Sequence, residues 1–173
     1  MSRSDDSPKT AWEGQYIKVV TQGTWEYVSR TRGVTAAVIL AVDEGHVLLV
    51  EQYRVPVGAR CVELPAGLVG DETAGEAIEA AAIRELEEET GYRAGRMTDL
   101  GRFYASPGMS SEAFTLLRAE DLRKVGDGGG VAGESIEVHR VALQAVPAFV
   151  AAKRAQSAVV DVKLLLLLGG GLL

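Results

Sequence analysis

A surplus of positive charge is missing from this chain, in which 18 Lys and Arg stand against 24 Asp and Glu for a formal net charge of −6. Proteins that read nucleic-acid backbones need a basic footprint, so nucleic acid is disfavoured as a partner and any phosphate must be met locally or through a metal. Cysteine is nearly absent: Cys61 stands alone, and no internal disulfide can form. With no leading apolar segment resembling a signal peptide, the chain is expected to be intracellular and cytoplasmic. Long apolar runs are lacking too, the longest being residues 34–42 and 164–168, against the roughly 20 residues needed to cross a bilayer. No membrane partner is expected, and the 164–168 run reads as a last helix packed on the core. Residues 126–133, GDGGGVAG, are followed by no Gly-Lys-Ser/Thr, so they read as a flexible loop rather than a phosphate cradle. There is no internal repeat.

What is present suits one domain. At 173 residues and 47% hydrophobic composition, the chain can bury roughly 70% of its surface and build a core without staples. A second full enzyme domain does not fit, and the first ten residues read as a loose polar tail. Residues 16–30 alternate apolar and polar positions about Gln22-Gly23, the pattern of a β-hairpin. Residues 34–42 form a continuous apolar strand suited to burial on both faces, with a turn at 43–46 and a partner strand at 47–54. Shorter strands at 62–64, 99–104, 112–117 and 136–141 complete a mixed sheet. Helices are expected at about 74–90 and 147–155, with a third at the C-terminus.

The first helix carries the chemistry. Thr73 and Glu76 stand at capping-box spacing, Ile78, Ala82, Ile83 and Leu86 make one apolar stripe, and Gly91 falls where a left-handed cap is needed. Glu85, Glu88 and Glu89 fall within an arc of roughly 100°, while Glu87 points elsewhere. Like charges at these spacings repel by a few tenths of a kcal/mol per pair, and the helix C-terminus makes anions less welcome still. Arg84 offsets part of this, and a hard divalent cation on carboxylate oxygens would offset the rest. From helix charge alone, a solvated acidic face stays open beside the metal site.

Gly70, Glu76, Arg84, Glu85, Leu86, Glu88, Glu89, Gly91 and Tyr92 fit the pattern G-x5-E-x7-R-E-U-x-E-E-x-G-U, with U a bulky apolar residue. The segment resembles the Nudix box, and the flanking strands resemble the Nudix hydrolase fold. The resemblance implies an α+β architecture, an α/β/α sandwich with a mixed sheet, in which residues 34–173 form the hydrolase domain. It also implies hydrolysis of a nucleoside diphosphate linked to another moiety, with Mg²⁺, or Mn²⁺, held by Glu85, Glu89 and Glu88 and by the Ala66 carbonyl in ELPAG. Gly70, Glu76 and Arg84 would brace the loop and helix. The glycine of the PAG turn, Gly67, stands nine residues before Glu76, so Gly70 supplies the box position, either by replacement or by a three-residue insertion.

Outside the box, Ser106-Pro107-Gly108 begins fifteen residues after Gly91 and resembles the proline signature of the ADP-ribose pyrophosphatase subgroup. There Glu112 would act as general base on the attacking water, with Glu134 and Glu137 in reserve, while His139 and His46 read as structural or exposed. Arg54 would contact the diphosphate, a task suited to guanidinium geometry, and Glu63 would face the substrate or the metal. Residues 16–30, within an N-terminal tail and hairpin of residues 1–33, resemble the antiparallel segment through which dimeric relatives exchange strands, with Trp25 and Tyr16 stacking adenine in a homodimer. The expected reaction is hydrolysis of ADP-ribose to AMP and ribose 5-phosphate. The alternatives are another nucleoside diphosphate sugar, such as GDP-mannose or ADP-glucose, or a non-catalytic nucleotide-sensing module.

Overall fold

The computed structural model describes residues 6–31, 34–70, 76–131 and 133–169. Strands β1 (Lys9–Glu13), β2 (Ile17–Gln22) and β3 (Trp25–Arg30) make a three-stranded antiparallel sheet. The hairpin expected about Gln22-Gly23 is β2–β3, paired from Ile17↔Arg30 to Gln22↔Trp25. The polar tail is shorter than composition suggests, because Lys9 and Thr10 belong to β1 and pair with Thr21 and Val20. Every residue of β1 is exposed, so backbone pairing with the edge of β2 forms this strand, not side-chain burial.

Next come β4 (Thr35–Asp43), β5 (His46–Arg54), β6 (Ala59–Glu63), β7 (Ala66–Val69) and helix α1 (Ile78–Thr90). They are followed by β8 (Tyr92–Arg93), β9 (Arg96–Tyr104), β10 (Ala113–Glu120), β11 (Arg123–Lys124) and β12 (Glu137–Ala142). Helix α2 (Val146–Ala155), β13 (Val159–Val160) and helix α3 (Leu165–Leu168) close the chain. The strands form one eight-stranded mixed sheet, with β8 and β11 paired separately.

Strands β4 and β5 are partners only next to their turn, at Val42↔Val47 and Asp43↔His46. Beyond it they fork. Strand β4 runs parallel to β10 and antiparallel to β7, whereas β5 takes β6 on one edge and β12 on the other. The expectation of a simple two-strand partnership is corrected here: both strands are apolar on both faces, so each can be central, and each recruits its own neighbours. The fork sets β6 and β7 apart, with Leu64 and Pro65 between them, and the candidate site lies around that gap.

Burial follows the strand period. Ala37, Ile39 and Ala41 of β4 pack with Leu117, Ala119, Ala82 and Leu86 beneath α1, while Val38 faces Leu116, Leu49, Val62, Val146, Val150 and Leu164. Burying Leu86 alone contributes about 1.5–3 kcal/mol, several times the repulsion of any single pair of neighbouring glutamates. The apolar stripe therefore wins, and it anchors the acidic turns.

Helix α1 starts four residues later than its charge and capping pattern suggests. Its N-cap is Ala77, in extended conformation with no side-chain cap, and Glu76 precedes the helix with its carboxylate on Arg84. Thr73, the other half of the expected capping box, lies outside the described residues. Gly91 closes the helix as expected, with φ 73° and its N–H donating to the Glu87 carbonyl.

Candidate active site

The carboxylates of α1 divide among three environments. Glu89 is buried, at 6% exposure, and its Oε2 accepts the Ala66 N–H at 3.0 Å. Burial pushes its carboxyl up to about 8. The Ala66 amide opposes this, the charges of Glu85 and Glu134 add to it, and Arg54 draws it back. Among the described residues, no Lys or Arg hydrogen-bonds Glu89. Glu85 rests against the backbone of Gly67, where a Cβ would lie 1.9 Å from the Glu85 carboxyl carbon. The PAG glycine is therefore the one the helix packs against. Among the described residues nothing lies within 4 Å of a Cβ added at Gly70, which has a φ of +84°.

Glu88 leans toward Arg84, whose guanidinium donates to Glu85 at 3.1 Å, Glu88 at 3.3 Å and Glu76 at 3.4 Å. Arg84 thus ties the entry of the helix to its acidic face, the bracing the box pattern implies. Glu87 and Glu88 also line a separate cavity with Ile83, Arg93 and Val125.

Residues 126–130 have a definite task. The N–H groups of Gly129 and Gly130 donate to the carbonyls of Glu89 and Glu88 at 2.9 and 3.0 Å, and Val125 and Gly126 donate to the Gly91 carbonyl. Carbonyls that a helix C-terminus leaves unpaired are satisfied here by a glycine loop. The same loop brings Glu134 within electrostatic reach of Glu89.

Beside Ala66 and Gly67 opens a cavity of about 350 Å³ lined by Arg30, Arg54, Glu63, Glu112 and Lys163, among others. Glu63 is buried and receives both arms of Arg54, Nε at 2.6 Å and Nη2 at 2.8 Å. This fork holds the Arg54 guanidinium in plane and raises its pKa. Burial and the neighbouring Glu63 push the Cys61 thiol on the same strand up to about 12, which leaves it a packing residue. Glu112 receives two N–H bonds from Arg30 on one oxygen, its Nε donating at 2.8 Å. The 105–112 loop is stitched to β3: Val28 exchanges backbone bonds with Met109 and Ser111, and Ser111 bonds Ser29.

Of the two expected adenine platforms, Tyr16 lines a pocket of about 160 Å³ that shares Arg30 and Leu68 with the main cavity. Trp25 stands at the other end of the hairpin and opens onto a different pocket with Pro107 and Gly108. Within one chain the two rings do not meet. Arg30 and Lys163 are the cavity residues that sequence reasoning missed. Arg30 closes an ordinary alternating strand, and Lys163 sits in an apolar C-terminal run, so neither carries a local signal.

Glu137 is removed from this site by strand register: it lies opposite Glu51 on β5, in a cluster with His139, Arg60 and Lys153. Lys153 Nζ lies 2.6 Å and His139 Nε2 3.0 Å from Glu51 Oε2, while Arg60 donates to Oε1 at 2.8 Å. Donor atoms of Glu51, Glu137 and His139 lie within 4.8 Å of one another, a spacing that could hold a metal ion. Lys153 and Arg60 bond Glu51 directly, whereas among the described residues no Lys or Arg hydrogen-bonds Glu89, which feels Arg54 only at a distance.

The NUDIX domain matches residues 31–159. The chain belongs to the Nudix family. It is 44% identical over 86 residues to the ADP-ribose pyrophosphatase of Bacillus subtilis (strain 168), covering 50% of this chain and 45% of that protein. Over 125 residues it is 37% identical to an uncharacterized Nudix hydrolase of Schizosaccharomyces pombe, covering 67% and 58%. This Nudix chain thus spans about half the length of the curated relatives it matches. A crystal structure of an ADP compounds hydrolase superposes with a TM-score of 0.66 at 22% identity, covering 85% of this chain and 86% of that one, which shows a shared fold. Nudix hydrolases generally use a divalent metal. Glu89, a buried carboxylate that feels the charge of Glu85 and that no Lys or Arg hydrogen-bonds among the described residues, is of the oxygen-donor type such an ion takes.

Proposed function

We propose that this Nudix chain hydrolyses the diphosphate of ADP-ribose, giving AMP and ribose 5-phosphate, in a Mg²⁺- or Mn²⁺-dependent reaction. The observation that carries it is the buried Glu89 carboxylate, joined through Ala66 and Gly67 to a cavity walled by forked arginines. Glu85 and Glu89, with Glu88 and the Ala66 backbone, would hold the divalent ion, which when bound neutralises the diphosphate and makes water a better nucleophile. Arg54, held flat by Glu63, and Arg30 orient the phosphates.

A carboxylate takes the proton of the attacking water, whose oxygen bonds to phosphorus as the bridging P–O bond breaks. Glu112 and Glu134 compete for this role. Glu134 is favoured: it stands close enough to Glu89 for its charge to act there and its engaged oxygen meets only the neutral Val131 N–H at 3.0 Å, whereas Glu112 is paired with the charged Arg30 guanidinium, which makes it a weaker base. Glu112 then serves chiefly to hold Arg30 in the cavity wall. Adenine stacks on Tyr16, and because Trp25 faces another pocket of its own chain, a second copy supplies the opposing ring in a homodimer.

The test is product analysis of purified protein with ADP-ribose, ADP-glucose and GDP-mannose, in Mg²⁺ and in EDTA. Metal-dependent release of AMP, fastest from ADP-ribose, is the expected result. Preference for another sugar would transfer the assignment to that nucleotide, and binding without release would make the domain a nucleotide sensor. Glu134→Gln should slow turnover far more than Glu112→Gln, and the reverse order would return the base to Glu112.

A further inference from the structure

Three cavities lie in series along one side of the molecule. The Tyr16 pocket and the central cavity share Arg30 and Leu68, and the central cavity shares Ala105, Phe114 and Lys163 with a third cleft of about 170 Å³. The third cleft is walled by Phe103 and Tyr104 of β9 and by Leu166 of α3, all of them exposed. An extended molecule with a base at one end, two phosphates in the middle and a ring at the other matches this order.

Lys163 stands at the junction of the second and third cavities. Its Nζ is held by Asp161 Oδ2 at 2.7 Å and lies 5.6 Å from the centre of the Phe114 ring, with the side chain only 15% exposed. Asp161 also accepts the Lys163 backbone N–H at 2.7 Å, so the lysine is fixed at both ends. An ammonium already balanced by a carboxylate suits neutral hydroxyls better than a further full negative charge. Aromatic faces beside it suit the C–H face of a saturated ring.

We propose that the C-terminal cleft receives the terminal sugar of the substrate, with Lys163 as a specificity-determining hydrogen-bond donor to its hydroxyls and Tyr104 as its platform. This rests on the reading of the chain as a nucleoside diphosphate sugar hydrolase and assigns the sugar end to this chain's own residues.

The experiment is calorimetry in EDTA, where turnover stops, comparing ADP-ribose with ADP, which lacks only the terminal sugar. Lys163→Met keeps an apolar stem over Phe114 and should weaken ADP-ribose binding about tenfold while leaving ADP binding unchanged. Tyr104→Ala, at an exposed position that does not support the core, should produce the same selective loss. Equal effects on both ligands, or none on either, in the Tyr104 variant would overturn the assignment. If the wild-type protein bound neither ligand, the nucleotide-sugar reading itself would fail and the cleft assignment with it; wild-type binding of both isolates the cleft.

Discussion

The amide of Ala66 donates to the carboxylate of Glu89 across 3.0 Å, joining the turn between β6 and β7 to the last turn of α1. The carbonyl of Ala66 is the expected metal-shell group, and the N–H of the same residue grips a proposed ligand. That bond favours the charged form of Glu89 but does not outweigh burial, so the carboxyl stays near 8 until a cation meets it.

Glu89→Gln should therefore separate fold from function. Between pH about 4.5 and about 8 the folded chain keeps this carboxyl protonated while the unfolded chain ionises it, so metal-free stability falls as pH rises through that window. The amide variant should flatten the fall and match or exceed wild-type stability in EDTA, while losing activity by about 10²-fold or more. Thermal melts from pH 4 to 9 with and without metal check this; marked unfolding of the variant would mean that the ionised acid is needed for the fold.

Gly67→Ala tests the close approach of β7 to Glu85. A methyl group there would sit inside the Glu85 carboxyl, so either strand or side chain must shift. Overpacking of this kind costs about 1–3 kcal/mol, and the displaced carboxylate should cost more in activity than in stability. Gly70→Ala provides the comparison: with none of the described residues within 4 Å of the added Cβ, it should lose stability through its positive φ and keep Glu85 in place. Equal activity losses in the two variants would contradict the distinction.

Glu51 gives the opposite pH signature. Burial alone would raise its pKa, but hydrogen bonds from Lys153, Arg60 and His139 overcome that and hold it at about 2. The stability it contributes is complete above about pH 4.5 and drains away as pH falls towards 2. Glu51→Gln leaves the half-buried Lys153 with only the more distant Glu137, at 4.0 Å, and should cost about 3 kcal/mol near neutrality, with an acid limb shallower than the wild-type protein's. Chemical denaturation at pH 3, 5 and 7 measures both effects.

The local period of the sequence carried much of this fold. The alternation in 16–30, the doubly apolar 34–42 and the stripe through Leu86 became β2–β3, β4 and α1 because burial on one or both faces decides such segments. The fork of β4 from β5 was not legible, since pairing partners far apart in the chain leave no local trace. The pattern sets the start of α1 too early for a related reason: Glu76 pairs with Arg84 further along the chain, and a propensity pattern cannot tell that from a cap. At the site, the box glutamates and Arg54 announced themselves by spacing, whereas Arg30 and Lys163 reach the cavity only through tertiary placement.

The glycine loop that satisfies the carbonyls of Glu88 and Glu89 also sets a timetable for assembly. A nascent chain that has emerged only as far as Thr90 already carries every acid of the helix, yet the donors for its final carbonyls are still to be translated. The seat for a cation is thus finished only after Gly129 and Gly130 have arrived, and a polypeptide released before them would expose a frayed, negatively charged stump.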